Sequence, residues 1–237
     1  MMLNKTQRTV STMFCNEKIH RESTTADLTH RKQKNQSLQM NYTLNATDDY
    51  HKSNLNSLGW ELTVCNALYP ESSPCRKALH SGKSFGVLLY QFLEKKIPLD
   101  DVHRILEAGG GLGNLMHDFL SLNPRVEAAM IDISPYLLTR QKETLKEFAV
   151  NFQQTDILKT TAEELALFDL IIMNENLGDL PTLIANPAGR TSASADVSLL
   201  HRANYFIDKY GLQLQENENI NIGALEIAEK FCRAGVK

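Results

Sequence analysis

Nowhere in the 237 residues is there a run of 18 or more apolar side chains, the length a bilayer-crossing helix needs, so no membrane span is expected. Nor is there an excess of one charge. Lys and Arg number 25 against 28 Asp and Glu, a formal charge of −3, which argues against a dedicated nucleic-acid binder because phosphate affinity needs clustered cations, and leaves room only for local basic patches. Cysteine is scarce: Cys15, Cys65, Cys75 and Cys232 form no C-x-x-C pair, and the seven histidines form no H-E-x-x-H, so neither a metal site nor a redox pair is expected. The first 30 residues lack a basic start followed by an apolar stretch, so a secretory signal is not indicated, and a cytoplasmic chain with reduced thiols is the expectation. What is present is ordinary globular material, 42% apolar, and at this length a fold buries roughly 70% of the surface its unfolded chain exposes.

Residues 1–55 are poorer in apolar side chains than the rest and carry eight Lys or Arg against five Asp or Glu, which predicts a disordered polar arm. A transit peptide is the alternative, opposed by Glu17, Glu22 and Asp27. Residues 56–100 read as a helical segment before the main domain: Phe85, Leu88, Leu89, Phe92 and Leu93 share one helix face, closed by Pro98 and Asp100.

From residue 101 to 237 short apolar runs alternate with helix-period segments. Val102–Leu106 predicts a first strand, Leu112 to Leu120 a helix, and Val126–Ile131 a second strand. Ser134 and Pro135 predict an N-cap and first turn for a helix to about Phe148. Ala149–Gln154 is a third strand, Thr161–Ala166 a short helix, and Phe168–Met173 a fourth strand apolar enough to be buried on both faces. Pro181 to Ala195 reads as a loop. Two helices follow, one around Leu199–Tyr210 stopped by Gly211, the other about Ile222–Ala234 stopped by Gly235. Alternation of this kind predicts an α/β fold with a parallel sheet and right-handed crossovers.

The informative segment is Glu107-Ala108-Gly109-Gly110-Gly111-Leu112-Gly113-Asn114, a glycine-rich turn between first strand and helix, at the sheet edge where open α/β sheets bind ligands. Gly109, Gly111 and Gly113 let the backbone turn tightly and approach a ligand that any Cβ would repel; a simple tight turn is the plainer alternative. Asn114 stands where the dinucleotide G-x-G-x-x-G pattern has its third glycine, which disfavours NAD. Glu107 would repel a pyrophosphate but hold a cationic amino-acid group, which favours S-adenosylmethionine, a bearer of an ammonium and a sulfonium. Asp132, ending the second strand, is placed to accept the two ribose hydroxyls, or else serves the dipole of the next helix. Asp156, past the third strand, is at the height for an adenine amino contact with Ile157 as an apolar wall, or is a solvated loop residue.

With these residues the chain resembles a class I S-adenosylmethionine-dependent methyltransferase, a Rossmann-like three-layer sandwich. Asp132-Ile133-Ser134-Pro135 with Leu138, Gln141 and Leu145 is similar to the pattern after the second strand in the MidA family, and Asn174-Glu175-Asn176 with Asp179-Leu180-Pro181 to its run after the fourth; the likeness covers roughly residues 84–181. That family commonly has Glu where this chain has Asp132. The resemblance implies a protein arginine methyltransferase, in a family whose mitochondrial relatives help assemble respiratory complex I. Glu175 and Asp179 would then orient the acceptor guanidinium, or be parts of a capped turn, and Asn174 could touch the amino-acid end of the cofactor. A non-catalytic cofactor-binding or assembly protein is the alternative.

The resemblance also implies seven strands in the order 3-2-1-4-5-7-6, of which four are legible. The expectation is therefore a chain truncated after the fourth strand and its following helices. Leu170–Met173 would be left as an exposed apolar edge open to a partner chain, and the last helix would lack the sheet face it was shaped to cover.

Overall fold

The computed structural model of the chain describes residues 42–45, 63–185, 197–212 and 218–236. The strands are β1 (Tyr42–Asn45), β2 (Arg104–Ala108), β3 (Glu127–Asp132), β4 (Val150–Gln154), β5 (Leu170–Ile172), β6 (Thr182–Ala185) and β7 (Ile220–Asn221). The helices are α1 (Val64–Leu68), α2 (Pro74–Ala78), α3 (Phe85–Glu94), α4 (Asn114–Leu122), α5 (Pro135–Thr144), α6 (Ala162–Leu165), α7 (Val197–Tyr210) and α8 (Ile222–Ala234). The chain divides into two compact units, Met1–Asn45 with Pro181–Leu225, and Ala46–Leu180 with Glu226–Lys237.

The larger unit is α/β and Rossmann-like, as expected. Its strands are all parallel, in the order β4-β3-β2-β5, the 3-2-1-4 portion of the implied sheet. Strand β2 starts at Arg104 because Asp169 Oδ2 accepts the backbone N–H groups of His103 at 2.8 Å and Arg104 at 2.9 Å, tying the entry of β2 to that of β5. Helix α5 opens where the sequence indicates: the Ser134 hydroxyl accepts the Leu137 N–H and Pro135 fills the first turn. It stops at Thr144, short of Phe148, whose ring turns instead to meet His117 edge-on at 5.5 Å. Helix α6 is held by a reciprocal capping box between Thr161 and Glu164.

The two sheet faces follow the strand period of two. On one, Ile105, Met130, Leu170 and Ile172 pack against Leu115, Met116, Phe119 and Leu120 of α4, with Phe85, Leu89 and Leu93 of α3 behind them. On the other, Leu106, Ala108, Ile131 and Ile171 pack against Leu165 of α6 and Ile227 and Phe231 of α8.

Burial on the two faces corrects two expectations. Helix α8 does have a sheet face within this chain: Ile227 is 2% exposed, a burial worth about 1.5–3 kcal/mol, and Lys230 Nζ donates to the carbonyls of Leu158 and Thr160. Nor are the side chains of β5 an exposed apolar surface, since Leu170, Ile171 and Ile172 are all buried. Strand β5 is the edge of its ladder only in backbone pairing.

In the smaller unit β6 pairs antiparallel with both β1 and β7, with Tyr42 opposite Ala185 and Leu183 opposite Ile220. Leu183, Ile220 and Ile222 pack with Ala203 and Phe206 of α7, whose end is marked by Gly211 at φ +61°. Two expectations change here. The loop from Pro181 begins with strand β6, and β1 lies inside the arm expected to be disordered; residues 1–41, 46–55 and 186–195 lie outside the described residues. Ladder partners about 140 residues apart in the chain supply what neither local sequence advertises.

Candidate functional site

The turn after β2 is built on left-handed backbone. Gly109, Gly111 and Gly113 have φ of +66°, +56° and +83°, a region from which side chains are sterically driven. The Gly109 N–H donates to Ile131 O and the Gly113 N–H to Gly110 O, both at 2.9 Å. The glycines nevertheless serve different neighbours. A Cβ on Gly109 would stand 2.5 Å from Asn176 Nδ2, one on Gly110 2.4 Å from Met130 Cε, and one on Gly113 3.3 Å from Gln141 Cα. A Cβ on Gly111 would meet nothing within 4 Å. Three of these four positions are therefore glycine because the protein packs against them, and Gly111 borders open space. Asn114, where a dinucleotide turn wants glycine, donates instead to Asn66 Oδ1 of α1 at 2.9 Å.

Glu107 is where the sequence places it, but its carboxyl is shut beneath the turn at 2% exposure, with Oε2 lacking any hydrogen-bond partner. Burial first, then the nearby charge of Asp132, push its pKa from 4.5 up to about 8, against a weaker downward pull from the Met116 backbone N–H. The fixed negative charge expected here is thus largely protonated at neutral pH, because few protein donors replace the water it has lost.

Asp132 ends β3 at 4% exposure with both oxygens engaged: Oδ1 accepts the Ser134 N–H and Oδ2 accepts Gln141 Nε2, each at 2.9 Å. Burial raises its pKa from 3.8 to about 6, restrained by these two donors and the Ile133 N–H. Gln141 on α5 is 0% exposed and its Nε2 also donates to Gly111 O at 3.1 Å, so one amide ties the glycine turn to the strand-end carboxylate. Sequence reasoning saw Gln141 only as part of a pattern; a glutamine one helical turn inside a capped helix carries no sign that it points back at the sheet.

Asp156 and Ile157 sit past β4. Asp156 Oδ1 caps the short 3-10 turn Ile157–Lys159 by accepting the Leu158 N–H at 2.9 Å, and Ile157 is buried in the cluster beneath α8. Both have assigned structural tasks.

After β5, Asn174 is half-buried and Glu175 is exposed, with a left-handed φ of +59° that only a few per cent of non-glycine residues adopt. Burial first, then the charges of Glu107, Asp118 and last Glu175, push the Cys65 thiol up to about 12. Asp179 lies in the 3-10 turn Leu177–Asp179. The second residue the sequence shows only as part of a run is Asn176, whose Nδ2 donates to Ala108 O and covers Gly109.

Among the described residues, three of the four buried side-chain polar atoms without a hydrogen-bond partner flank this one turn: Glu107 Oε2, Gln141 Oε1 and Asn176 Oδ1. Two are amide carbonyl acceptors, and Glu107 becomes a third when it ionises. An acceptor-rich turn with open space at Gly111 suits a cationic ligand rich in donors and not a pyrophosphate.

Residues 106–189 match the family model described as "Methyltransferase domain", a stretch containing both the glycine turn and the run after β5. No curated protein matches the chain. Among solved structures, the chain is similar to the N-methyltransferase NodS from Bradyrhizobium japonicum WM9, at 27% identity and TM-score 0.30, over 43% of this chain and 51% of that one. It is also similar to the PH0226 protein from Pyrococcus horikoshii OT3, at 21% identity and TM-score 0.35, over 50% and 51%. With the plantazolicin methyltransferase BpumL, crystallised with a triazolic desmethylPZN analog and SAH, the identity is 16% and the TM-score 0.36, over 73% and 69%. The chain thus spans about half the length of the NodS and PH0226 structures it matches, and the family-model match covers its residues 106–189.

Proposed function

We propose that this chain is an S-adenosylmethionine-dependent methyltransferase whose cofactor lies along Gly111, with its ribose at Asp132 and its amino-acid end toward Glu107, Asn174 and Asn176. The single observation that carries the reading is the set of buried, unpartnered acceptors around a glycine that opens onto empty space. The methyltransferase-domain match over residues 106–189 agrees with it.

When bound, S-adenosylmethionine would supply a sulfonium methyl, to whose carbon an acceptor lone pair would bond in line as the carbon–sulfur bond breaks and its electrons stay on the departing thioether. The residues of the chain do the rest by position and field. Gly111 admits the ligand backbone to backbone. Asp132 orients the diol while its own oxygens are held by Ser134 and Gln141. Glu107, protonated in the ligand-free chain, ionises as a cation arrives beside it, so binding releases a proton. Asp156 and Ile157 border the adenine.

For the acceptor, we propose a protein, with arginine the side chain that the MidA resemblance indicates. Glu175, held outward at positive φ, and Asp179 are the carboxylates to orient a guanidinium. The backbone edge of β5 is where a partner chain would add. The cytoplasm is the compartment we propose, supported by Cys65 and Cys75 remaining thiols.

Calorimetric titration of the purified chain with S-adenosylmethionine and with NAD tests the cofactor: heat with the first and none with the second is expected, and the reverse sinks the reading. Transfer of labelled methyl from S-adenosylmethionine to protein in a cell extract tests turnover. Binding without any labelled acceptor would select the non-catalytic alternative.

A further inference from the structure

Gln141 has a chemistry that packing alone does not explain. It is wholly buried yet polar, it leaves Oε1 without a partner, and both bonds from Nε2 go to the site, one to Gly111 O and one to Asp132 Oδ2. A buried acceptor left unsatisfied costs stability, so a side chain chosen for packing would be apolar here. The two bonds also constrain more than themselves. The peptide after Gly111 is trans, so drawing its carbonyl toward Gln141 turns the Leu112 N–H the opposite way. At Asp132, Ser134 holds one oxygen and Gln141 the other, with the Ile133 N–H also turned to the carboxylate, so the plane of the group is fixed.

We infer that Gln141 is a positioning residue: it clamps Asp132 so that the two carboxylate oxygens face two adjacent hydroxyls at once, and it sets the peptide orientation of the glycine turn against the same ligand. The consequence is specificity for an intact, unsubstituted ribose diol. The inference rests on the cofactor reading above. Without Gln141, Asp132 Oδ2 loses its side-chain donor and the carboxylate, met only by the Ser134 and Ile133 N–H groups, would accept one hydroxyl as readily as two, so loss of Gln141 should erase diol selectivity rather than lower affinity uniformly.

The experiment titrates the purified chain with S-adenosylhomocysteine and with its 2′-deoxy analogue by calorimetry. The wild type should prefer the intact diol by about ten- to a hundredfold, the range expected of a hydrogen bond to a charged acceptor. In Gln141→Leu and in the nearly isosteric Gln141→Glu, with folding verified by thermal melts, the preference should fall to about threefold or less. Equal weakening of both ligands with the preference intact means a merely structural role and overturns the inference while leaving the cofactor reading in place. A wild type that binds but is indifferent to the 2′-hydroxyl overturns the inference and the assignment of Asp132. A wild type that binds neither ligand overturns the cofactor reading itself. Should neither variant fold, the wild type decides by nitrogen-15 NMR. Both Nε2 protons of Gln141 should exchange slowly and shift when S-adenosylhomocysteine is added, and fast exchange of either one, or no shift, defeats the clamp.

Discussion

Neighbouring strands β2 and β3 each deliver a buried carboxylate, and the two differ in charge through the donors each meets and the charge that Asp132 lays on Glu107. Glu107 and Asp132 are buried almost equally, at 2% and 4% exposure. Asp132 is met by the Ser134 N–H and the Gln141 amide, and its pKa is about 6; Glu107 is left with an unpartnered oxygen, and its pKa is about 8. Burial sets the penalty for a charge, and the donors the protein brings decide how much of that penalty remains.

The largest expected effect breaks this comparison at Glu107. Its folded value of about 8 lies above its ordinary 4.5, so the folded chain holds the proton that the unfolded chain gives up. The stability this contributes is complete below about pH 4.5 and is lost as pH rises through 8, on the order of 5 kcal/mol in all. Urea melts at pH 5, 7 and 9 should show this fall in wild type and not in Glu107→Gln; parallel falls in both would mean the carboxyl is not the titrating group.

Next in size is the glycine turn. Gly109→Ala combines positive φ with a Cβ 2.5 Å from Asn176 Nδ2 and should cost roughly 2–3 kcal/mol, partly recovered by adding Asn176→Ala. Gly111→Ala meets no neighbour and should cost only the φ strain, roughly 1 kcal/mol. Its affinity for S-adenosylmethionine should nonetheless fall more steeply than that of Gly109→Ala, and Gly111→Val should abolish binding. Melts and calorimetry on the same samples separate the two effects, and undiminished affinity in Gly111→Val would mean that the ligand lies elsewhere.

Asp132→Ala should weaken S-adenosylmethionine binding by roughly 1–3 kcal/mol through lost charge-assisted hydrogen bonds, read by titration at constant salt. The smallest change is Asp156→Ala. Loss of its cap to Leu158 should lower stability by about 0.5–1 kcal/mol, and a drop in affinity beyond that would give Asp156 the adenine contact in addition to its cap.

The order of strands and helices in the larger unit was legible because each element carries its own period and its own signals, as Ser134-Pro135 does for α5 and Gly235, at φ +70°, does for the end of α8. Boundaries moved where a distant residue intervened: Asp169 starts β2 two residues late, and the Phe148 ring leaves α5 for His117. Strand β6 went unread because Thr182–Ala185 follows a proline and becomes a strand only through β1 and β7. In the site, Glu107, Asp132 and the glycines were visible because their residue types are unusual at strand ends. Gln141 and Asn176 were not, since an amide in a helix or a loop gives no direction until its acceptor is known.

By itself the sequence determined that the turn after β2 would use left-handed backbone, because exclusion by a Cβ acts on each residue alone and Gly109, Gly111 and Gly113 lack one. Only the tertiary structure decided that Gly111, and not Gly109, borders open space, and that Glu107 keeps its proton where Asp132 more readily gives its own up. Those outcomes depend on Met130, Asn176, Ser134 and Gln141, atoms that reach the turn from other strands, loops and helices once the chain has folded.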